Sequence, residues 1–182
     1  MLTVPVRSDR TQAVSIQEKR IDYRQPWVQK HLKSIKCAYQ KAPWFDLYFP
    51  VVQEILKRSF SNIADLNLSL IRFLLSALGI ERDIKRTSEL ELGDEQHFDK
   101  TGRVLNVCER LGVSYLYDGA AAASFLEVPR FEERGISVRF QNYRHPIYHQ
   151  QFGGFLPYMS TLDLLMNCGR QSLAIILSGG VE

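Results

Sequence analysis

The pattern of apolar positions divides the chain into a helical first part and a mixed second part. Over 26–40, Val28, Leu32, Ile35 and Tyr39 recur at i, i+4, i+7 and i+11, a stripe that predicts an amphipathic helix. Pro26 suits its first turn, where a missing N–H costs nothing, and Lys41-Ala42-Pro43 stops it. Trp44 to Phe49 reads as one turn, after which Pro50 opens a second helix carrying Val51, Val52, Ile55 and Leu56. Ser61 is placed as the N-cap of a third helix. There Ile63, Leu66, Leu70, Phe73 and Leu74 keep helical spacing and Gly79 supplies the stop. Ahead of these helices, Leu2 to Val6 reads as a strand. A polar loop over Arg7 to Gln12 and a second extended piece over Ser15 to Ile21 follow it.

After Gly79 the period changes. Ile80 to Arg86 reads as a short strand, and Thr87-Ser88-Glu89-Leu90 begins an acidic stretch. Asp99 to Leu111 is a helix with Val104, Leu105, Cys108 and Leu111 on one side and Gly112 at its end. Val113 to Tyr117 and Ile136 to Phe140 read as strands, the second with clean alternation. Helical pieces are expected between them at Ala120 to Phe125 and Phe131 to Arg134. Strand, helix and strand with short links make a βαβ unit, whose crossover is right-handed. The fold expected is α/β: a parallel or mixed central sheet flanked by helices, with Rossmann-like layering and a helical insertion near 26–79. Asn142 to Tyr158 is a long loop rich in aromatics, His, Gly and Pro, and long ordered loops tend to carry function. Ser160 and Asp163 then sit as N-cap and N3 of a further helix that stops at Gly169. Leu173 to Leu177 is too short to type, and Ser178-Gly179-Gly180 reads as a frayed end.

Composition changes this picture little. The 182 residues are 45% hydrophobic and 24% charged, ordinary for one globular domain spanning 1–182. The net charge of +3 is too mild to argue for nucleic acid. Residues 1–60 hold 11 Lys/Arg against 5 Asp/Glu, and Lys30, Lys33 and Lys36 share a helix face. That face is a solvated surface or a patch that attracts an anionic partner such as a nucleotide-sugar, in which case salt weakens the binding. It carries no interleaved aromatics, which counts against nucleic acid. Cys37, Cys108 and Cys168 form no CxxC pair, so neither a disulfide framework nor a zinc site is expected. No apolar run approaches a membrane span. A reducing, cytoplasmic setting fits these features.

Two segments carry candidate chemistry. Asp118-Gly119 follows a strand, where parallel sheets bind ligands, and a helix starting near Ala120 would offer N–H groups to an anion. Asp-Gly is equally a common turn. In His145-Pro146-Ile147-Tyr148-His149-Gln150, His145 is a candidate general base, and Tyr148 and Gln150 can hydrogen-bond a sugar. A loop histidine that merely packs is the plainer reading. Pro146 between His145 and His149 argues against a helical metal pair. Ser160 and Asp163 are a helix cap first and candidate ligand groups second. Cys108, on an apolar stripe, reads as an inert core thiol. No GxGxxG or P-loop appears, so no cofactor and no metal are expected.

An ordered series of short blocks resembles the WbqC-like family. It runs from Leu2-Thr3-Val4-Pro5-Val6 through Tyr39 … Lys41-Ala42-Pro43-Trp44-Phe45, Thr87-Ser88-Glu89-Leu90, Leu111-Gly112 … Tyr115-Leu116 … Gly119 and Phe131 … Gly135-Ile136 … Val138. It ends in His145-Pro146 … Tyr148 … Gln150 and Phe155 … Pro157 … Ser160 … Asp163-Leu164-Leu165 … Asn167 … Gly169. Members of that family usually carry an N-terminal segment with a His-Gln-Pro block, absent ahead of Leu2 here. They also have Ser-Gly where this chain has Asp118-Gly119. The resemblance implies a transferase-like protein of O-antigen-type surface polysaccharide biosynthesis. Aminoacyl (glycyl) transfer to a nucleotide-linked amino sugar is the activity it suggests. It leaves open a non-catalytic binding or assembly subunit, or an inactive truncated member, with a homo-oligomer or a partner protein covering an exposed sheet edge.

Overall fold

The computed structural model describes residues 2–7, 15–93 and 97–180. Its elements run α1 (Trp27–Tyr39), α2 (Phe45–Lys57), α3 (Ile63–Ala77), α4 (Lys100–Leu111), β1 (Tyr115–Asp118), α5 (Val128–Glu132), β2 (Ser137–Phe140), α6 (Thr161–Cys168) and α7 (Ser172–Ser178). Short 3₁₀ turns occupy Thr87–Glu89, Ala120–Ser124 and Gly169–Gln171. The chain is an α/β protein and divides into two compact units. The first comprises Met1–Arg82 with His145–Leu177, the second Asp83–Arg144 with Ser178–Glu182. Among the described residues no helix is long and apolar enough to cross a membrane.

The first unit is helical, as the 3.6-residue periodicity over 26–79 predicts. α1 buries Trp27, His31 and Ile35, and α2 buries Phe45, Tyr48, Val52, Ile55 and Leu56. Leu66 of α3 and Leu165 and Met166 of α6 complete this core. Each of the aliphatic and phenylalanine side chains here contributes about 1.5–3 kcal/mol by leaving water. The N–H of Trp44 donates to the Met166 carbonyl at 3.1 Å, tying the start of α2 to α6. Gly169 ends α6 with φ 53°, and its α-carbon lies so close to the Trp44 indole that a β-carbon would overlap the ring.

Several sequence expectations for this unit need correction. Leu2 to Val6 is not a strand: it makes one antiparallel bridge, Val6 to Ile21. The Asp22 N–H donates to the Pro5 carbonyl, but Pro5 has no N–H to return, so the ladder stops. Ser15 to Ile21 is a turn that becomes extended only at Arg20 and Ile21. The loop expected over Arg7 to Gln12 lies mostly outside the described residues. Pro50 does not open α2 but sits inside it. Phe45 and Tyr48 are buried, so the turn before the proline folds as helix and forfeits one backbone bond. Asn62, not Ser61, caps α3, its Oδ1 accepting the Asp65 N–H at 2.8 Å. Ser61 is already engaged, its carbonyl accepting the Ile21 N–H. Leu173 to Leu177 lies in α7.

The second unit holds the sheet. β1 and β2 pair in parallel, Tyr115 opposite Ser137 through Asp118 opposite Phe140, with the chain between them crossing from the end of β1 to the start of β2. The sheet has these two strands among the described residues. Leu105 and Cys108 of α4, Ala122, Leu126, Phe131 of α5 and Ile136 form its core. Leu116, Val138 and Phe140 pack against that core from the sheet. The opposite face carries Tyr115 and Tyr117, 50% and 57% exposed. α4 starts at the Asp99 cap and ends at Gly112 in the left-handed region, as the sequence predicts. Ile80 to Arg86 is irregular rather than a strand: Glu81, Arg82, Asp83 and Lys85 are all exposed, and no ladder partner meets them among the described residues. The tail is not frayed at Gly179 and Gly180. The Arg144 N–H donates to the Gly179 carbonyl, and Tyr143 bridges Gly180.

Candidate functional site

α6 begins as the sequence predicts, with Ser160 Oγ accepting the Leu162 N–H at 3.2 Å. Asp163 does something else. Its side chain is buried in the first unit, where Oδ2 accepts the Tyr148 hydroxyl at 2.8 Å and the Gln150 amide at 3.0 Å. Gln150 Nε2 also donates to the Leu156 carbonyl at 3.0 Å, and the Leu156 N–H donates back to Gln150 Oε1 at 2.8 Å. Gln150 thus crosslinks the 145–160 loop to itself and to α6. A buried amide that meets so many partners orders a segment that has no secondary structure of its own.

Tyr39, at the end of α1, joins the same cluster. Burial pushes its phenol up, and interaction with the Asp163 carboxylate pushes it further. Tyr148 is raised to about 12 by burial first and by its hydrogen bond to Asp163 second. Cys168 is raised by burial and then by Asp163, so it remains a thiol, with Sγ 3.9 Å from the His149 carbonyl. Asn167, one turn after Asp163, donates from Nδ2 to the Asp163 carbonyl at 2.8 Å. Among the described residues its Oδ1 is buried with no hydrogen-bond partner, as is Nε2 of Gln151.

These groups line a cavity of about 170 Å³, with Tyr39, Gln150, Gln151, Asp163 and Asn167 as its polar side. Ala38, Leu156 and Met159 form apolar wall, and Phe152 completes the rim. Phe152 and Tyr158 are 82% and 84% exposed. Both adopt positive φ, 70° and 60°. Bulky residues rarely do so, and strain of this kind concentrates at functional sites. His145 lies among aromatic rings, its centroid 5.2 Å from Tyr158, 5.6 Å from Phe155 and 6.2 Å from Tyr148. His145 Nδ1 donates to the Pro146 carbonyl at 2.9 Å. Among the described residues no group of three His, Cys, Asp or Glu is placed to hold a metal ion.

Of the residues singled out from sequence, His145, Tyr148, Gln150, Ser160 and Asp163 all belong to the first unit, and Tyr148, Gln150 and Asp163 are directly bonded. Asp118 and Gly119 belong to the second unit. Asp118 Oδ1 accepts the Gly119 N–H at 2.7 Å, inside its own turn. Gly119 has ordinary extended backbone, and a β-carbon there would meet nothing within 4 Å. Ala120–Ser124 is a 3₁₀ turn, not the helix start expected there. Cys108 is buried and its thiol is pushed up, by burial first and then by Asp118 and Glu109.

Sequence reasoning passed over Tyr39, Gln151, Phe152, Tyr158 and Asn167. One signal was available: Asp163 and Asn167 stand four apart with Leu164, Leu165 and Met166 between them.

The WbqC-like protein family model matches residues 1–175, and the chain belongs to that family. It is 30% identical over 176 residues to the protein named Uncharacterized protein Rv1507c of Mycobacterium tuberculosis. That match covers 94% of this chain and 73% of the relative. No solved structure matches the chain.

Proposed function

We propose that this protein is a transferase of surface polysaccharide biosynthesis that acts on a nucleotide-linked amino sugar, with aminoacyl transfer, such as glycyl transfer, as its reaction. One observation carries the reading: the buried Asp163 carboxylate, held by Tyr148 and Gln150, lines a cavity beside exposed aromatic side chains on strained backbone. Pockets that take small molecules combine apolar wall with a few polar groups that fix orientation. A sugar presents apolar C–H faces to rings such as Phe152 and Tyr158, and hydroxyl and amine donors to a carboxylate. In the proposed step the sugar amine attacks the activated carbonyl of the aminoacyl donor. The C–N bond forms, the activating group leaves, and His145 takes the proton from the amine. The setting proposed is cytoplasmic, where nucleotide-sugars are made. Calorimetric titration of the intact chain with UDP- and dTDP-linked amino sugars tests the reading. Saturable binding supports it, and no binding to any of them by folded protein overturns it.

A second reading, a non-catalytic binding or assembly subunit, is favoured by the sheet. Parallel strands are ordinarily covered on both faces, whereas the Tyr115 and Tyr117 face is open. A second copy or a partner protein covering that face gives a dimer or larger species in light scattering, and Tyr117→Lys then returns it to monomer. A strict monomer at high concentration argues against this reading.

A further inference from the structure

We infer that Arg7 and Arg20 form a binding site for a phosphate or diphosphate group, in a groove that shares no described residue with the Asp163 cavity. The inference does not rest on the amino-sugar reading. Three extended segments run side by side here. Val6 bridges Ile21, and Arg20 bridges Asn62, both antiparallel. The Arg7 N–H donates to the Arg20 carbonyl at 2.8 Å, which sets Arg7 opposite Arg20. Residues opposite one another in antiparallel pairing project from the same face, so Arg7, Arg20 and Asn62 stand in one row. All three line a groove of about 760 Å³. Pockets that take small molecules span about 300–1,000 Å³.

Two like charges directly opposite each other destabilise a strand pair, so this arrangement calls for an anion between them. Among the described residues neither guanidinium is paired with a carboxylate. The acids beside them in sequence have other partners. Asp22, two residues on from Arg20, accepts from Arg24 on both carboxylate oxygens, at 2.8 and 2.7 Å. Glu18, which also lines the groove, accepts the Ser15 N–H and hydroxyl on Oε2, at 3.1 and 2.8 Å. Asn62 is engaged in capping α3, so the arginine pair is the charged centre. Gln17, Ser59 and Ser61 add neutral polar groups to the lining. The planar fork of an arginine matches phosphate oxygens two at a time, and two such forks call for several acceptor oxygens. A phosphate ester carries about −1.5 to −2 at neutral pH, which answers two guanidinia where a single carboxylate answers one.

Calorimetric titration of the whole chain with inorganic pyrophosphate, inorganic phosphate and UDP tests this. Saturable binding is expected, and Arg7→Gln and Arg20→Gln should each weaken it about tenfold or more, the loss of one charge-assisted contact. Lys30→Gln removes the same charge from the exposed surface of α1 and should change the affinity less than about twofold. Pyrophosphate should also raise the melting temperature of the wild type but not of the arginine variants, whose own melts show that they fold. Tighter binding of UDP than of pyrophosphate identifies the ligand as a nucleotide, and the reverse order identifies a phosphate group free of a nucleoside. No saturable binding of any of the three overturns the site. Equal losses in Lys30→Gln and the arginine variants overturn it too, since general charge attraction then accounts for the binding. If UDP-linked amino sugars fail to bind while pyrophosphate binds, the amino-sugar reading falls and the arginine site stands.

Discussion

The turn at Asp118-Gly119 and the segment from His145 to Asp163 offer a ligand similar residues in different physical states. Asp118 spends its carboxylate on the next N–H in the chain, and the glycine beside it occupies open space. Asp163 is buried and bonded to residues 13 and 15 positions away in sequence, and one turn on stands Asn167, whose amide oxygen has no partner among the described residues. A polar group satisfied locally is finished by folding. One held by distant partners beside an unsatisfied neighbour has capacity left for a ligand. Strain separates the two in the same direction: the positive-φ aromatics belong to the second segment, whereas Gly119 is relaxed.

The comparison can be broken by paired substitutions. The largest difference is expected between glycines. Gly169→Ala places a methyl group inside the Trp44 indole at positive φ and should cost about 3 kcal/mol or more in urea unfolding. Gly119→Ala should be neutral or stabilise by about 0.4–1 kcal/mol. Comparable losses would show that the end of α6 and the Asp118-Gly119 turn are equally constrained. Next come the aspartates. Asp163→Ala strips partners from Tyr148 and Gln150 and should cost about 2–3 kcal/mol, against about 0.5 kcal/mol for Asp118→Ala. Tyr148→Phe removes one hydrogen bond to a charged acceptor and should cost about 1.5–3 kcal/mol, which sharpens how much of the Asp163 effect that bond carries.

The smallest effect expected is a pH dependence. His31 donates from Nε2 to the Thr3 carbonyl at 3.1 Å, and burial lowers its pKa from the usual 6.5. The folded state therefore binds fewer protons than the unfolded chain. Its contribution to stability is complete above pH 6.5 and is lost as pH falls through the folded value. Wild type should lose more stability between pH 7 and pH 5 than His31→Gln does, measured by urea unfolding at each pH. Equal slopes would remove His31 from the account.

Much of the fold was legible because it rests on local periodicity. The stripes of α1, α3 and α4 and the alternation of β2 each follow from spacing within a few turns. What the sequence left unread depends on distant partners. Leu2 to Val6 has strand composition, but whether it pairs is decided by Pro5 and by Arg20 to Asp22. Pro50 marks a helix start only if the preceding turn has nothing to bury, and Phe45 and Tyr48 do bury. At the site, His145, Tyr148 and Gln150 were legible as a polar cluster within six residues. Asp163 looked like a cap because the Ser160 motif precedes it; its burial is set by Tyr39 and Tyr148, from segments far from α6. The exposure of Phe152 and Tyr158 has no local signature, since aromatic residues are ordinarily read as core.

Amide resonances followed by two-dimensional NMR during titration with a UDP- or dTDP-linked amino sugar bear most directly on the central claim, that the ligand site is the Asp163 cavity. Saturable shifts concentrated at Tyr39, Gln150, Phe152, Asp163 and the Asn167 side chain are predicted, with Asp118 and Gly119 unmoved. Shifts centred on Asp118 and Gly119, with the cavity residues silent, would contradict it.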